Sequence, residues 1–169
     1  SVTFITFDSA GNVYAGTPTA MFKSVNGGTS FSTMSVPYPN AMYELDINLD
    51  GWFFAATGSG IFRSTDSGGS WTHTNNGFPN VRSLRKNALG SYFAVSSNGI
   101  YKSADRCSSW TLVHQRFDAE HLIILKDSIL LCGTYSSGVL RSTNNGGTWT
   151  QVNTGLDVSD VKSLISQND

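Results

Sequence analysis

The stretch STDSGGSW, Ser64 to Trp71, occurs four times in variant form. It reads SVNGGTSF at Ser24 to Phe31, SADRCSSW at Ser103 to Trp110 and STNNGGTW at Ser142 to Trp149. The copies start at residues 24, 64, 103 and 142, so they stand 39 or 40 residues apart. A constant period in this range marks a stack of similar supersecondary units, because one such unit cannot bury its apolar face alone. The fold must therefore be one that repeats every forty residues.

The flanks of the motif repeat as well. MFKS, IFRS, IYKS and VLRS lie immediately upstream and end on Ser24, Ser64, Ser103 and Ser142. Before them come VYAGT, FFAAT, YFAVS and LLCGT, starting at Val13, Phe53, Tyr92 and Leu130. Earlier still are the apolar runs Val2 to Phe7, Met42 to Ile47, Val81 to Lys86 and His121 to Leu125. A short fourth run follows each motif, as in Trp110 to His114 and Trp149 to Val152. Turn signals such as Asp8 to Asn12 and Asn48 to Gly51 separate the runs. With 17 glycines and only 14% charged residues, the composition suits short strands and tight turns rather than helices. No segment shows a helical period.

Four strands per forty residues predict an all-β chain of β-propeller blades, each a four-stranded antiparallel sheet. Stacked blades bury both faces of a sheet, which accounts for runs that are continuously apolar rather than alternating. The repeats span about 2–40, 41–80, 81–118 and 119–157. The segment 158–169 adds one extra inner strand, since VKSL at Val161 to Leu164 matches VRSL at Val81 to Leu84. The expectation is one propeller segment over residues 1–169, incomplete as a ring, completed by further blades or by self-association.

The motif fits S/T-x-D/N-x-G-x-S/T-W/F. Its Asp or Asn accepts bonds from the turn's own amides, its Gly permits a left-handed backbone, and its aromatic residue anchors against a neighbouring sheet. These residues resemble the Asp-box, or BNR repeat, found in sialidases, xyloglucan-active hydrolases, sortilin-type receptors and a photosystem assembly factor. The resemblance implies that the boxes are structural turns on the rim away from the ligand. They comprise Ser24, Asn26, Gly28, Ser30 and Phe31; Ser64, Asp66, Gly68, Ser70 and Trp71; Ser103, Asp105, Ser109 and Trp110; and Ser142, Asn144, Gly146, Thr148 and Trp149. The third copy has Cys107 in place of the glycine, where a Cβ would cost roughly 1–2 kcal/mol in a left-handed residue. Either that turn is distorted or Asp105 compensates. The resemblance also implies a secreted or extracytoplasmic location, although the sequence shows no signal peptide.

Other chemistries find little support. Eleven basic and twelve acidic residues leave a charge of -1, which argues against nucleic acid or an anionic membrane as partner. No run is long enough for a membrane span. Asp66 lacks the alternating acids of a calcium loop, and two copies carry Asn, so no metal and no cofactor are expected. No His keeps a fixed offset from the box serines, as a nucleophilic serine would need. Cys107 and Cys132 fall at dissimilar repeat positions and are read as two small core residues, Cys132 standing where other copies have Ala.

The copies disagree in the loops opposite the boxes and at the starts of the inner strands. There lie Tyr38, Tyr43, Glu44, Phe78, Arg82 and Phe117, with Asp118, Glu120, His121, Tyr135 and Asp157. These form the candidate binding face, for a protein or a glycan. A non-enzymatic binding module is the favoured reading. The alternative, a fragment of a sialidase- or xyloglucanase-like glycoside hydrolase, would draw its carboxylates from Asp118, Glu120 and Asp157 at the spacing such chemistry requires.

Overall fold

The computed structural model describes residues 1–36, 41–74, 77–125, 129–157 and 160–164. Among these there are sixteen strands and no helix. The chain divides into two compact units, Ser1–Val81 and Arg82–Asp169.

Unit one holds two four-stranded antiparallel meanders. The first is β1 (Phe4–Phe7), β2 (Val13–Gly16), β3 (Met21–Ser24) and β4 (Ser32–Met34). The second is β5 (Met42–Ile47), β6 (Phe53–Thr57), β7 (Gly60–Ser64) and β8 (Thr72–His73). Unit two repeats the arrangement with β9 (Ser83–Lys86), β10 (Tyr92–Ser96), β11 (Gly99–Ser103) and β12 (Thr111–Gln115). Its second sheet is β13 (Ala119–Ile124), β14 (Leu130–Thr134), β15 (Val139–Ser142) and β16 (Thr150–Gln151). These are the four expected units, strand for strand.

Aromatic and β-branched residues in the second strand of each sheet explain the pairing preference. All five residues of β6 and of β10 are buried, so both faces of these strands are covered. In unit one, Tyr14 and Met21 of the first sheet share a core with Leu45, Phe53 and Ala55 of the second. In unit two, Phe93 and Ile100 share one with Leu122, Leu130 and Cys132. Burying such side chains stabilises by about 1.5–3 kcal/mol each, which suffices to hold sheet on sheet.

In the first three sheets the first and second strands are joined by an Asx-capped turn. Asp8 Oδ1 accepts from the Asn12 amide, Asn48 Oδ1 from Trp52 and Asn87 Oδ1 from Ser91, each at 2.9 Å. In unit two the Asn87 side chain also donates to Asn145 Oδ1 at 2.8 Å, tying this turn to the motif turn of the next sheet. Within each sheet the first turn and the motif turn thus lie at the same end, as the meander topology requires.

Two expectations gain detail. Of the extra inner strand expected over 158–169, only residues 160–164 are described, and they lie outside the assigned strands, as Val81 and Arg82 do ahead of β9. An inner strand ladders with the second strand of its own sheet, and among the described residues this segment has none. It leaves the fourth sheet as Val81 leaves the second: Val161 N–H bonds to Thr134 O at 2.8 Å, and Val81 N–H to Thr57 O at 3.0 Å. The third motif turn, with Cys107, is not distorted. Cys107 holds φ +63° and its amide bonds to Ser103 Oγ at 3.0 Å, as the glycines do in the other turns. Both cysteines are free thiols and buried.

Candidate functional site

Each motif is a closed hydrogen-bond circuit. Ser64 Oγ donates to Asp66 Oδ1 at 2.7 Å and accepts from the Gly68 amide at 2.8 Å. Asp66 Oδ1 accepts from the Ser70 amide at 2.8 Å, and Oδ2 from the Ser70 hydroxyl at 2.7 Å. Ser103, Asp105, Cys107 and Ser109 reproduce the circuit in unit two. The amide and hydroxyl of Ser70 and the hydroxyl of Ser64 hold the Asp66 carboxyl down at about 2. Ser109, by its hydroxyl and then its amide, does the same for Asp105 against a smaller opposing effect of burial, again to about 2. Both oxygens of the Asp66 carboxylate, and both of Asp105, accept bonds from within their own turns. Among the described residues no group of three His, Cys, Asp or Glu side chains is placed to hold a metal ion.

The opposite edge of unit two is built differently. Arg82 precedes β9 and Glu120 lies in β13; both occupy the same repeat position, and they form an ion pair. The Arg82 guanidinium also sits over the Tyr135 ring, 5.6 Å from its centroid. Tyr135 belongs to the β14–β15 loop, and its amide bonds to Asp118 O at 2.9 Å. Asp118 takes Arg116 Nε at 2.5 Å and Arg116 Nη2 at 3.2 Å. The hydroxyls of Ser136 and Ser137 donate to Asp118 Oδ2 at 2.6 and 3.1 Å. Burial alone would raise the Asp118 carboxyl, but Arg116 and the two serines outweigh it and hold it at about 2.

Above this network the side chains are open. Phe117 is 74% exposed and Tyr135 46%. A cleft of about 400 Å³ runs beside them, lined by Gln115, Arg116, Phe117, Asp118 and Ser136. The arrangement offers two aromatic surfaces around a fixed anionic and cationic pair.

His121 stands apart from the cleft. Arg85 Nη2 lies 3.1 Å from its Nε2, and the Leu164 amide lies 3.3 Å from its Nδ1. Burial and then the Arg85 charge lower its pKa, so the ring is neutral near neutrality. Asp157 is exposed.

In unit one, Tyr43 is 37% exposed and Glu44 half-buried. Phe78 is buried, only 3% exposed, and does not belong to a surface. The amides of Asn80 and Val81 bond to Gly58 O and Thr57 O, which draws the segment in and carries the ring into the core. Tyr38 lies outside the described residues.

No protein-family model matches the chain, and no curated protein matches it. Solved structures do. The structure of YCF48 bound to D1 peptide superposes with a TM-score of 0.67 at 20% identity, over 88% of this chain and 51% of that one. An ancestral GH74 enzyme gives 0.75 at 18% identity, over 89% and 24%. The extracellular domain of BT4673 from B. thetaiotaomicron gives 0.71 at 11% identity, over 92% and 25%. All three are β-propellers of the Asp-box type.

The four sheets have the fold of β-propeller blades. This chain spans about half the length of the YCF48 structure and about a quarter of the other two. Among these neighbours are both an enzyme and a peptide-bound protein, so the fold alone leaves the chemistry open.

Of the candidate face, the blades of unit two bring together Arg82, Phe117, Asp118, Glu120 and Tyr135. Sequence reasoning passed over Arg116, Ser136 and Ser137 as members of the same network. A signal was available, since Arg116 and Asp118 stand two apart in one loop and Ser136 and Ser137 follow Tyr135.

Proposed function

We propose that this chain is a non-enzymatic binding module. Its ligand is a protein segment that lies across Phe117 and Tyr135 and pairs its polar groups with Asp118 and Arg116. The observation that carries this reading is the commitment of Asp118 and Glu120. Glycoside hydrolysis needs one carboxyl kept protonated near neutrality, as the general acid. Asp118 is held ionised by Arg116, Ser136 and Ser137, and Glu120 is paired with Arg82. Exposed aromatic rings beside a fixed ion pair suit recognition, where rigid rings supply contact area and Arg supplies directed bonds. The peptide-bound state of the YCF48 structure supports a protein ligand over a glycan. An extracytoplasmic location belongs to the same reading.

The test is selection from a displayed peptide library beside a glycan array, with xyloglucan and sialoside hydrolysis assayed in parallel. Selected peptides should bind the wild-type chain and lose at least tenfold in affinity with Phe117→Ala or Tyr135→Ala. Glycan-only binding, or hydrolysis abolished by Glu120→Gln, would overturn the proposal.

A further inference from the structure

The β14–β15 loop brings Tyr135, Ser136 and Ser137 to the cleft, and it is one residue longer than its counterparts. In the second blade Thr57 closes the equivalent loop: its Oγ1 donates to Gly60 O at 2.9 Å and accepts from the Ser59 amide at 3.1 Å. Thr134 Oγ1 does the same in the fourth blade, donating to Gly138 O at 3.0 Å and accepting from the Ser137 amide at 2.9 Å. Its bond to Gly138 spans four residues, where the bond from Thr57 to Gly60 spans three. The longer loop needs a further support.

In the third blade the backbone of the outer strand runs past the loop end. Ile100 pairs with His114 and Gly99 with Gln115, and a Cβ on Gly99 would meet His114 O at 2.6 Å. In the fourth blade β16 pairs Gln151 with Leu140 and goes one bond further, from the Val152 amide to Val139 O at 2.9 Å. Beyond that point a side chain takes over. Asn153 Oδ1 accepts from the Val139 amide at 2.9 Å, and Asn153 Nδ2 donates to Ser137 O at 2.8 Å. A carboxamide offers an N–H donor and a C=O acceptor, as a peptide group does. Gln151 Nε2 adds a second bond to Ser137 O, at 2.6 Å.

Gly138 fits this arrangement twice over. It holds φ +74°, a left-handed backbone that glycine adopts without strain, and a Cβ there would collide with the Asn153 carboxamide. The carboxamide therefore lies against Gly138 as the β12 backbone lies against Gly99. Ser137 passes this order on to the cleft. Its hydroxyl donates to Asp118 Oδ2 and accepts from Arg116 Nη2, and the neighbouring Tyr135 amide bonds to Asp118 O.

We propose that Asn153 is a positioning residue of the cleft: its carboxamide stands in for a peptide unit of β16 and fixes the β14–β15 loop in the form that sets Tyr135, Ser136 and Ser137 around Asp118 and Arg116. The ligand is the peptide of the binding-module reading, on which this role rests. A loop ordered before the ligand arrives spares the cost of ordering it on binding.

Amide exchange and binding kinetics of the full chain test this role, with a peptide selected on the wild-type chain as the probe. The Tyr135 and Ser137 amides bond to Asp118 O and Thr134 Oγ1, not to Asn153. In Asn153→Ala they should nevertheless exchange faster, by roughly tenfold or more, while the Ser59 amide of the second blade keeps its rate. The peptide should bind about tenfold more weakly, with the loss in the association rate and the dissociation rate kept, because only the fraction of chain with a competent loop falls. Asn153→Asp keeps the shape and the bond from Val139 but turns an oxygen on Ser137 O, so it should behave as Asn153→Ala does. Gln151→Ala removes only the second bond to Ser137 O; it should show the same signs at smaller size, and it decides the matter if the Asn153 variants fail to fold. Unchanged exchange at Tyr135 and Ser137 overturns the proposal, as does a loss of affinity confined to the dissociation rate. A wild-type chain that binds no selected peptide would remove the binding-module reading, and the exchange rates would still decide whether Asn153 orders the loop.

Discussion

Ser70 gives its hydroxyl proton to Asp66 Oδ2, at 2.7 Å; in the first box the direction is reversed, and Asn26 Nδ2 donates to Ser30 Oγ at 2.9 Å. A hydroxyl serves as donor or acceptor by rotation alone. Asp and Asn therefore close the same circuit, and only the Asp form titrates. The carboxyls of Asp66 and Asp105 sit near 2, below the unfolded value of about 3.9. Their contribution to stability is complete above that unfolded value and is lost as pH falls through about 2. Asp66→Asn with Asp105→Asn should fold as wild type at pH 7 and show a shallower fall in Tm between about pH 4 and 2. Asp118 titrates in both chains, so part of the acid limb should remain. An acid limb unchanged by the double substitution would sink this account.

Gly68 and Gly28 separate backbone strain from packing. Both hold a left-handed backbone, at φ +90° and +88°, and both belong to unit one. Alanine at either costs roughly 1–2 kcal/mol through its Cβ. Only at Gly68 does the Cβ also meet Met34, whose Cε is the free end of a flexible chain, so Gly68→Ala should cost somewhat more, by up to about 1 kcal/mol. Denaturant midpoints of the two variants should differ accordingly. Equal losses would show that the box glycine is kept for its backbone alone.

The two thiols should be silent in the native state. Cys107 and Cys132 are fully buried, and burial pushes the Cys132 thiol up to about 12, with the Asp118 charge adding to the effect. A disulfide-exchange reagent at pH 8 should label neither in the folded chain and both in denaturant. Rapid labelling of one thiol under native conditions would contradict this packing.

Asn87 is 3% exposed and serves two turns, accepting from the Ser91 amide and donating to Asn145. Asn87→Ala leaves the Ser91 amide and the Asn145 side chain without this partner, which costs about 1–3 kcal/mol. Asn48 caps the same turn in the second blade, and Asn48→Ala provides the comparison for loss of the turn bond at Trp52. A smaller loss at Asn87 than at Asn48 would show that the Asn145 contact contributes little.

The blades were legible in the sequence because each box, with Ser64, Asp66, Gly68 and Ser70, closes on itself within seven residues. Local chemistry of that kind repeats visibly. Cys132 was legible for a related reason, since it replaces Ala at a fixed strand position. Phe78 was not: its burial depends on Asn80 and Val81 bonding to the carbonyls of a hairpin some twenty residues earlier, and a loop position beside Pro79 suggests a surface. The Arg82–Glu120 pair lay between. Opposite charges at one repeat position on successive blades hint at an ion pair, but only the stacking of β9 on β13 shows that they meet. The binding cleft is the least legible part, because its members come from two loops that the repeat leaves unconstrained.

The β5–β6 ladder slips between Met42 and Glu44, and the β13–β14 ladder between Ala119 and His121. Tyr43 and Glu120 are the residues left outside the pairing. A bulged residue can change without altering which neighbours face inward. At this one place in the second and fourth blades a side chain stands outside the ladder, so it can be exchanged with the strand pairing unchanged.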